Sequence, residues 1–309
     1  MKDASPAPAV GSAGDELDTD LMKHILGALG VEGTIPLTLD GLATVYGAWC
    51  RRVPFDNIRK MISIHAGDPG PLGGLDAADF FANWLEHGTG GTCWPSSNAL
   101  CVLLSSLGFE ARRVAGSMFD LDVINHGTVK IRIDGADWLA DTSMLTNLPL
   151  PTHGDLYIGG ADGISAEVER VDGSDVVWAD FVPMPVYVPC RLHFDPVGAD
   201  FYEERYEIFS RTESPFNGRL YFRVGGPAGA RVILGNVRFS RVQGELVVEE
   251  LSRDGLCEQL RIAGVSERML ERWISAGALD MSFDPANIPP TPEVAGVRPS
   301  LRHAEPALD

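Results

Sequence analysis

The chain has 309 residues, 45% of them hydrophobic, and a formal net charge of −18. That length and apolar content suffice for two or three packed domains, while the acidic balance argues against nucleic acids and anionic membrane surfaces as partners, because both attract Lys- and Arg-rich faces. No apolar run approaches a membrane span, and the opening stretch MKDASPAPAVGSAGDELDTD has no secretory apolar core, so a cytoplasmic protein is expected.

Residues 1–15 are rich in Ala, Pro, Gly and Asp and are expected to be disordered. From Glu16, apolar residues at Leu17, Leu21, Ile25 and Leu29 recur on one helical face, with Gly30 as a stop. LDGLATVYGAWCRRV reads as a second helix with Asp40 as its N-cap, and LDAADFFANWLEH (75–87) as a third. A fourth runs from Pro95 to Leu107, closed by Gly108. Between 111 and 188 the pattern changes to short alternating segments separated by turn residues, which predicts a small barrel or sandwich. RLYFRV, ARVILGNVRFSRV and GELVVEEL predict three further strands, and DGLCEQLRIAGVSERMLERWISAG one or two helices. The Pro-rich stretch after Asp284 is expected to be extended or disordered.

The five cysteines (Cys50, Cys93, Cys101, Cys190 and Cys257) are odd in number and scattered, which argues for reduced thiols rather than a disulfide framework. No CxxC pair or His cluster suggests a metal. One cysteine stands apart. In GTGGTCWPSSNALCVLLSSLGF (88–109), Cys93 follows a glycine loop and precedes Pro95, which suits a first helical turn. It is therefore predicted just outside the helix start, where unpaired N–H groups and the dipole favour a thiolate. The glycines are expected to let substrate approach the sulfur. Cys101, Cys50 and Cys257 read as simple core.

A nucleophilic thiol needs a base. NHGTVKIRIDGADWLAD contains Asp134-Gly135, a two-residue hairpin signal. With that turn Val129 faces Ala140, Ile131 faces Trp138 and Ile133 faces Ala136 on an apolar face. Arg132 faces Asp137, and Thr128 faces Asp141, on a polar one. His126 is then diagonal to Asp141, about 7–8 Å away, within reach of a carboxylate. Asp141 can fix the imidazole so that its other nitrogen takes a proton from Cys93.

VPFDNI (53–58), GGTCW (90–94), GFEARRVAG (108–116), the His126 and Asp141 pair, ESPFNGRLYFRV (213–224) and ILGNVRF before a terminal helix form an ordered set that resembles the arylamine N-acetyltransferase family over residues 17–280. The resemblance implies an α+β fold with an N-terminal helical domain (16–116), a central β-barrel (117–209), an α/β lid (210–284) and a tail (285–309). It also implies a Cys93–His126–Asp141 triad at the first interface, and places Phe55, Trp94, Thr142, Ser143 and Phe216 as substrate-binding positions.

Two departures from that family bear on the reaction. The acidic residue expected after the aromatic that follows the cysteine is absent from Trp94-Pro95-Ser96-Ser97-Asn98. The family's glycine-containing stretch after the aspartate is replaced by Thr142-Ser143-Met144-Leu145, which has no glycine to adopt positive φ near a cofactor. The chain looks more like the family's natural-product relatives, the Dieckmann cyclases of tetramate and pyridone pathways. That likeness implies a carrier-protein-bound thioester as substrate, no required cofactor, and ring closure by an acidic carbon deprotonated with help from His126. Acetyl-coenzyme A with an arylamine, or a macrolactam-forming amide synthase, are the alternatives it leaves open.

Overall fold

The computed structural model describes residues 17–119, 123–152, 156–159, 165–180, 186–193, 195–212, 214–225, 231–242, 245–288 and 298–299. The stretch 1–15 and most of the Pro-rich tail, both expected to be irregular, lie outside the described residues.

Five helices come first, interrupted by one short strand: α1 (Thr19–Leu29), α2 (Leu39–Arg52), β1 (Phe55–Asp56), α3 (Ile58–His65), α4 (Ala77–His87) and α5 (Cys93–Ser106). Asp18 caps α1 and Gly30 closes it at φ 70°. Thr38, not Asp40, caps α2; Asp40 sits inside the first turn, where its charge favours the positive end of the dipole. Helix α5 begins two residues earlier than Pro95, with Thr92 as its flanking residue. Cys93 is therefore the first helical residue and not the residue before it. Pro95 is accommodated as the third, because first-turn N–H groups need no intrahelical partner.

The central strands are β2 (Glu110–Met118), β3 (His126–Ile133), β4 (Ala136–Ala140), β5 (Leu150–Pro151), β6 (Leu156–Gly159), β7 (Ser165–Val171), β8 (Ser174–Asp180) and β9 (Val186–His193). They hydrogen-bond in the order β5-β4-β3-β2-β9-β8-β7-β6. Leu139 on β4 and Val168 on β7 are far apart in that order yet share one buried cluster with Val177 and Cys190, so the sheet curls into a barrel. The first of its strands starts before the 116/117 boundary expected for this domain.

Helix α6 (Ala199–Thr212) follows, across the expected 209/210 boundary. It was not anticipated, although Tyr202 and Tyr206 stand one helical turn apart and are both buried against the helical core. The lid contains four strands after α6, one more than expected: β10 (Tyr221–Val224), β11 (Arg231–Leu234), β12 (Val237–Val242) and β13 (Glu245–Glu250). ARVILGNVRFSRV is a hairpin rather than a single strand, with Gly235 turning at φ 58°. Strand β1, from the N-terminal third, completes this sheet in the order β1-β10-β11-β12-β13. Helices α7 (Arg253–Ile262), α8 (Glu267–Ser275) and α9 (Ala278–Phe283) pack on it together with α3 around Trp273 and Phe222. The short β14 (Arg298–Pro299) pairs with β9.

The helical and barrel parts meet at α5. A Cβ at Gly127 on β3 would lie 2.6 Å from Trp94 Cε3 and 3.0 Å from Tyr202 Cζ, both in buried rings that cannot yield. Gly127→Ala is therefore expected to destabilise the fold by about 1–3 kcal/mol. Gly27→Ala, on α1 where an added Cβ meets nothing within 4 Å, should stabilise it by up to about 1 kcal/mol. Urea denaturation of the two variants measures both signs.

Candidate active site

The β3–β4 hairpin has the register read from the sequence. Val129 pairs with Ala140, Ile131 with Trp138, Arg132 with Asp137 and Ile133 with Ala136. Asp134 and Gly135 turn at φ 50° and 80°. The ladder ends at Ala140, so Thr128 and Asp141 are not a pair; Asp141 instead begins the next turn. His126 is 2% exposed and Asp141 1%. The polar face that carries them is buried at the His126 end and open towards the turn, where Arg132 is half-exposed; α5 packs on the other face, where Val129, Ile131 and Ala140 join its cluster.

His126 Nε2 donates to Asp141 Oδ2 at 2.6 Å. Asp141 Oδ1 accepts the backbone N–H groups of Ser143 at 2.9 Å and Met144 at 2.8 Å. Burial opposes Asp141's charge, but the imidazolium and these N–H groups hold its carboxyl below the usual range. Burial also opposes a charged His126, yet the Asp141 carboxylate outweighs it and raises the imidazole well above its ordinary value. The remaining ring nitrogen is left for Cys93, whose side chain also favours the charged imidazole. The three residues expected to act together are thus one contiguous set.

Cys93 itself is 6% exposed, and its Sγ lies 4.0 Å from the carbonyl of Asn125. The N–H groups of Cys93 and Trp94, in the first turn of α5, have no intrahelical acceptor, and Pro95 has no N–H to offer. The glycines before the cysteine serve packing rather than substrate access, contrary to expectation. A Cβ at Gly90 would strike the Pro54 carbonyl at 2.0 Å, and one at Gly91 would meet Pro95 Cγ at 2.8 Å. Gly91 forms an isolated bridge with Phe55 on β1.

Of the positions assigned to substrate, Phe55 and Phe216 do meet, edge to face with centroids 5.5 Å apart. Trp94 instead packs against Tyr202 at 4.9 Å and Phe201 at 6.4 Å, holding α5 to α6. Thr142 Oγ1 is engaged by Ser97 Oγ at 2.9 Å, and Ser97 also donates to the Gly127 carbonyl at 2.8 Å. Ser143 is 3% exposed, beside Asp141. The absence of glycine from 142–145 does not prevent positive φ there: Leu145 adopts 51°, a conformation a buried leucine takes only when its surroundings impose it.

Several positioning residues were not singled out from the sequence. Tyr46 on α2 donates to the Asp141 carbonyl at 2.7 Å and lies 3.0 Å from Thr146 Oγ1. Arg223 on β10, 3% exposed, donates to the carbonyls of Ser143 at 3.1 Å and Met144 at 2.9 Å. Asp56 on β1 accepts the N–H of Gly90 at 2.6 Å and of Ile58 at 2.9 Å. Burial pushes its carboxyl up to about 7. Asn57 donates to the carbonyls of Phe216 and Arg219 and accepts from Tyr221, each at 2.7 Å. VPFDNI and ESPFNGRLYFRV were both noticed as motifs, but only strand pairing shows that they face each other.

The other cysteines are free and buried. Burial drives the Cys50 thiol up to about 12, which leaves it inert at neutral pH. Among the described residues no group of acidic, His and Cys side chains could hold a metal.

The sequence profile of the N-acetyltransferase family matches residues 38–153, the stretch that contains β1, α5 and the triad. The arylamine N-acetyltransferase of Mycobacterium abscessus superposes with a TM-score of 0.72 at 17% identity, covering 91% of this chain and all of that one. The fold is that of the arylamine N-acetyltransferases. The α+β expectation of helical domain, barrel and lid holds. An arylamine N-acetyltransferase from Mycolicibacterium smegmatis is 27% identical over 169 residues, 55% of this chain and 49% of its own length. Proansamycin X synthase from Amycolatopsis mediterranei is 28% identical over 138 residues, 43% of this chain and 50% of its own. The chain spans about half the length of these curated relatives.

Two variant pairs test this geometry. Asp141→Asn should remove the charge that raises His126, so the imidazole pKa, followed by NMR, should fall, burial then acting alone to lower it, and acyl transfer should drop by orders of magnitude. Because the wild-type His126 pKa is raised and that of Asp141 lowered, the pair stabilises the fold between the unfolded values of about 3.9 and 6.5, losing that contribution on acidification through the folded carboxyl pKa and at high pH through the folded imidazole pKa. Asp137→Asn, which breaks a half-exposed pair with Arg132 at 2.9 Å, should alter stability by only about 0.2–1 kcal/mol and leave activity intact. Cys93→Ala should abolish transfer with the fold retained, and Cys101→Ala should keep activity; intact-mass spectrometry of the acylated protein locates the modified thiol.

Proposed function

We propose that the protein is a thiol acyltransferase that takes an acyl chain from a carrier-protein thioester onto Cys93 and releases it by intramolecular Dieckmann condensation, giving a tetramate or pyridone ring. The observation that carries the acyl-transfer chemistry is the buried His126–Asp141 hydrogen bond of 2.6 Å, on an imidazole that the Cys93 side chain also acts on. Sγ attacks the thioester carbonyl and His126 carries the proton that the thiol gives up, delivering it to the departing carrier thiol. Asp141 keeps the imidazole oriented and stabilises it as imidazolium. The N–H groups of Cys93 and Trp94 are the donors available to the oxyanion at the helix start.

The choice of acyl donor is supported by residues 142–145. Thr142 is bound to Ser97, Arg223 occupies the carbonyls of Ser143 and Met144, and Asp141 takes two of the N–H groups. This segment has little free backbone with which to bind a nucleotide-bearing thioester. The likeness to a synthase as well as to N-acetyltransferases supports a biosynthetic role. No cofactor is required in this reading, because donor and nucleophile lie in one chain and intramolecularity favours a five- or six-membered ring over hydrolysis when water is excluded. Among the described residues no helix is long and apolar enough to cross a membrane, and a membrane partner forms no part of the proposal.

A small-thiol or carrier-protein thioester of a β-ketoacyl amino acid should give a product lighter than the free acid by one water, with an enolic ultraviolet band. Acetyl-coenzyme A should be a poor donor. Efficient acetylation of a simple arylamine from acetyl-coenzyme A, with no ring product, would overturn the proposal in favour of ordinary N-acetyltransferase activity.

A further inference from the structure

Lys60 is a buried charge that packing does not account for. It lies on α3 and is 3% exposed. Its neighbours Ile58, Met61 and Ile62 join the apolar cluster under the lid; Lys60 does not. Its Nζ donates to Ser214 Oγ at 2.8 Å and stands 5.8 Å from the centroid of the Phe216 ring. Phe216 packs on Phe55, and Phe55 bridges Gly91, two residues before Cys93. A run of contacts through the aromatic pair thus links Lys60 to the loop before the nucleophile, and the charge of Cys93 acts on its ammonium. Among the described residues Cys93 is the single titratable group whose charge acts on it, and no carboxylate pairs with it. Burying an ammonium without a counter-ion is unfavourable, and burial pulls this one down to about 7, so the neutral amine is well populated at neutral pH.

The ring-closing step needs a base. The sequence suggested His126, but the Asp141 carboxylate raises that imidazole and holds it towards its charged form, which suits it to shuttle the proton between Cys93 and the carrier thiol rather than to remove one from carbon. We propose that Lys60 is the catalytic base of cyclisation, its neutral amine removing the proton from the acidic carbon of the acyl chain on Cys93. This rests on the carbon-nucleophile reading above. The Lys60–Ser214 bond uses an N–H of lysine and leaves the nitrogen lone pair for the substrate. The C–H electron pair becomes an enolate, which the new ammonium faces. The enolate carbon attacks the thioester carbonyl and the C–C bond forms. The bond to Sγ then breaks with its electron pair on sulfur, and the proton passes from Lys60 to Sγ, regenerating thiol and amine. No oxidant or other co-reactant enters.

The test separates the two half-reactions in Lys60→Met and Lys60→Arg. Intact-mass spectrometry should show both variants still loading a β-ketoacyl thioester onto Cys93, slowed far less than ring formation, which also certifies the fold. Ring formation should slow by roughly 100-fold or more, so that the acyl-enzyme accumulates. Arginine keeps the charge but cannot act as a base, so equal loss in both variants assigns base chemistry rather than enolate pairing. In wild type, acyl-enzyme decay should rise with pH to a plateau with its midpoint at or below about 7, since acylation removes the thiolate charge that favours the ammonium; in Lys60→Met the profile should be flat. Wild-type cyclisation by Lys60→Met or Lys60→Arg, or equal slowing of loading and ring closure, would overturn the role of Lys60 alone. A wild-type protein that loads the substrate and never forms a ring would overturn the carbon-nucleophile reading and this inference with it.

Discussion

The buried carboxylate of Asp141 is the constraint around which the site is built. A carboxylate that is 1% exposed must be fully paired or give up its charge. Asp141 is paired on both oxygens: one orients His126, and the other accepts the N–H groups of the turn that follows. The same charge that fixes the imidazole also fixes the backbone of residues 142–144. Tyr46 reaches from α2 to the Asp141 carbonyl, so the helical domain and the barrel are joined at this residue. Moving Asp141 would disturb the base, the turn and the domain contact together.

The lid sheet holds both halves of the site. Phe55 on β1 pairs with Arg223 on β10. On one side, β1 carries Asp56, which seats the loop before Cys93 through Gly90. On the other, Arg223 reaches the carbonyls of the turn after Asp141. The nucleophile comes from a helix start and the base from a strand far along the chain, yet one strand pair braces the loops next to each. This is the physical use of the motifs around residues 53–58 and 213–224: their backbones and short polar side chains bond to each other.

The glycines of 88–91 illustrate how a motif can be noticed for the wrong reason. Composition suggested open backbone beside a reactive thiol. In the fold Gly90 and Gly91 lie against Pro54, Pro95 and Phe80, and any side chain there would push β1 away from α5. Their smallness is spent on bringing two backbones together, and the result is a cysteine with little exposure. Trp94 has a comparable packing role, since it holds α5 against α6 and Gly127.

Local order was legible in the sequence wherever it arises from neighbours along the chain. The 3.6-residue stripe and glycine stop defined α1. Asp134-Gly135 set the β3–β4 register, because a two-residue turn leaves no freedom in pairing, and that register brought His126 to Asp141 before any fold was known. The Cys93 position near a helix start followed from Pro95, with an error of two residues because proline is tolerated anywhere in the first turn. What only the tertiary structure decided depends on contacts between distant segments. Whether the His126 end of the hairpin's polar face meets water or is buried, whether β1 joins a sheet formed some 170 residues later, and whether Lys60 on a short helix is solvated or buried are all set by which surfaces pack together. A side chain's charge state and its access to substrate follow from that packing through desolvation and pairing, and a linear sequence carries neither.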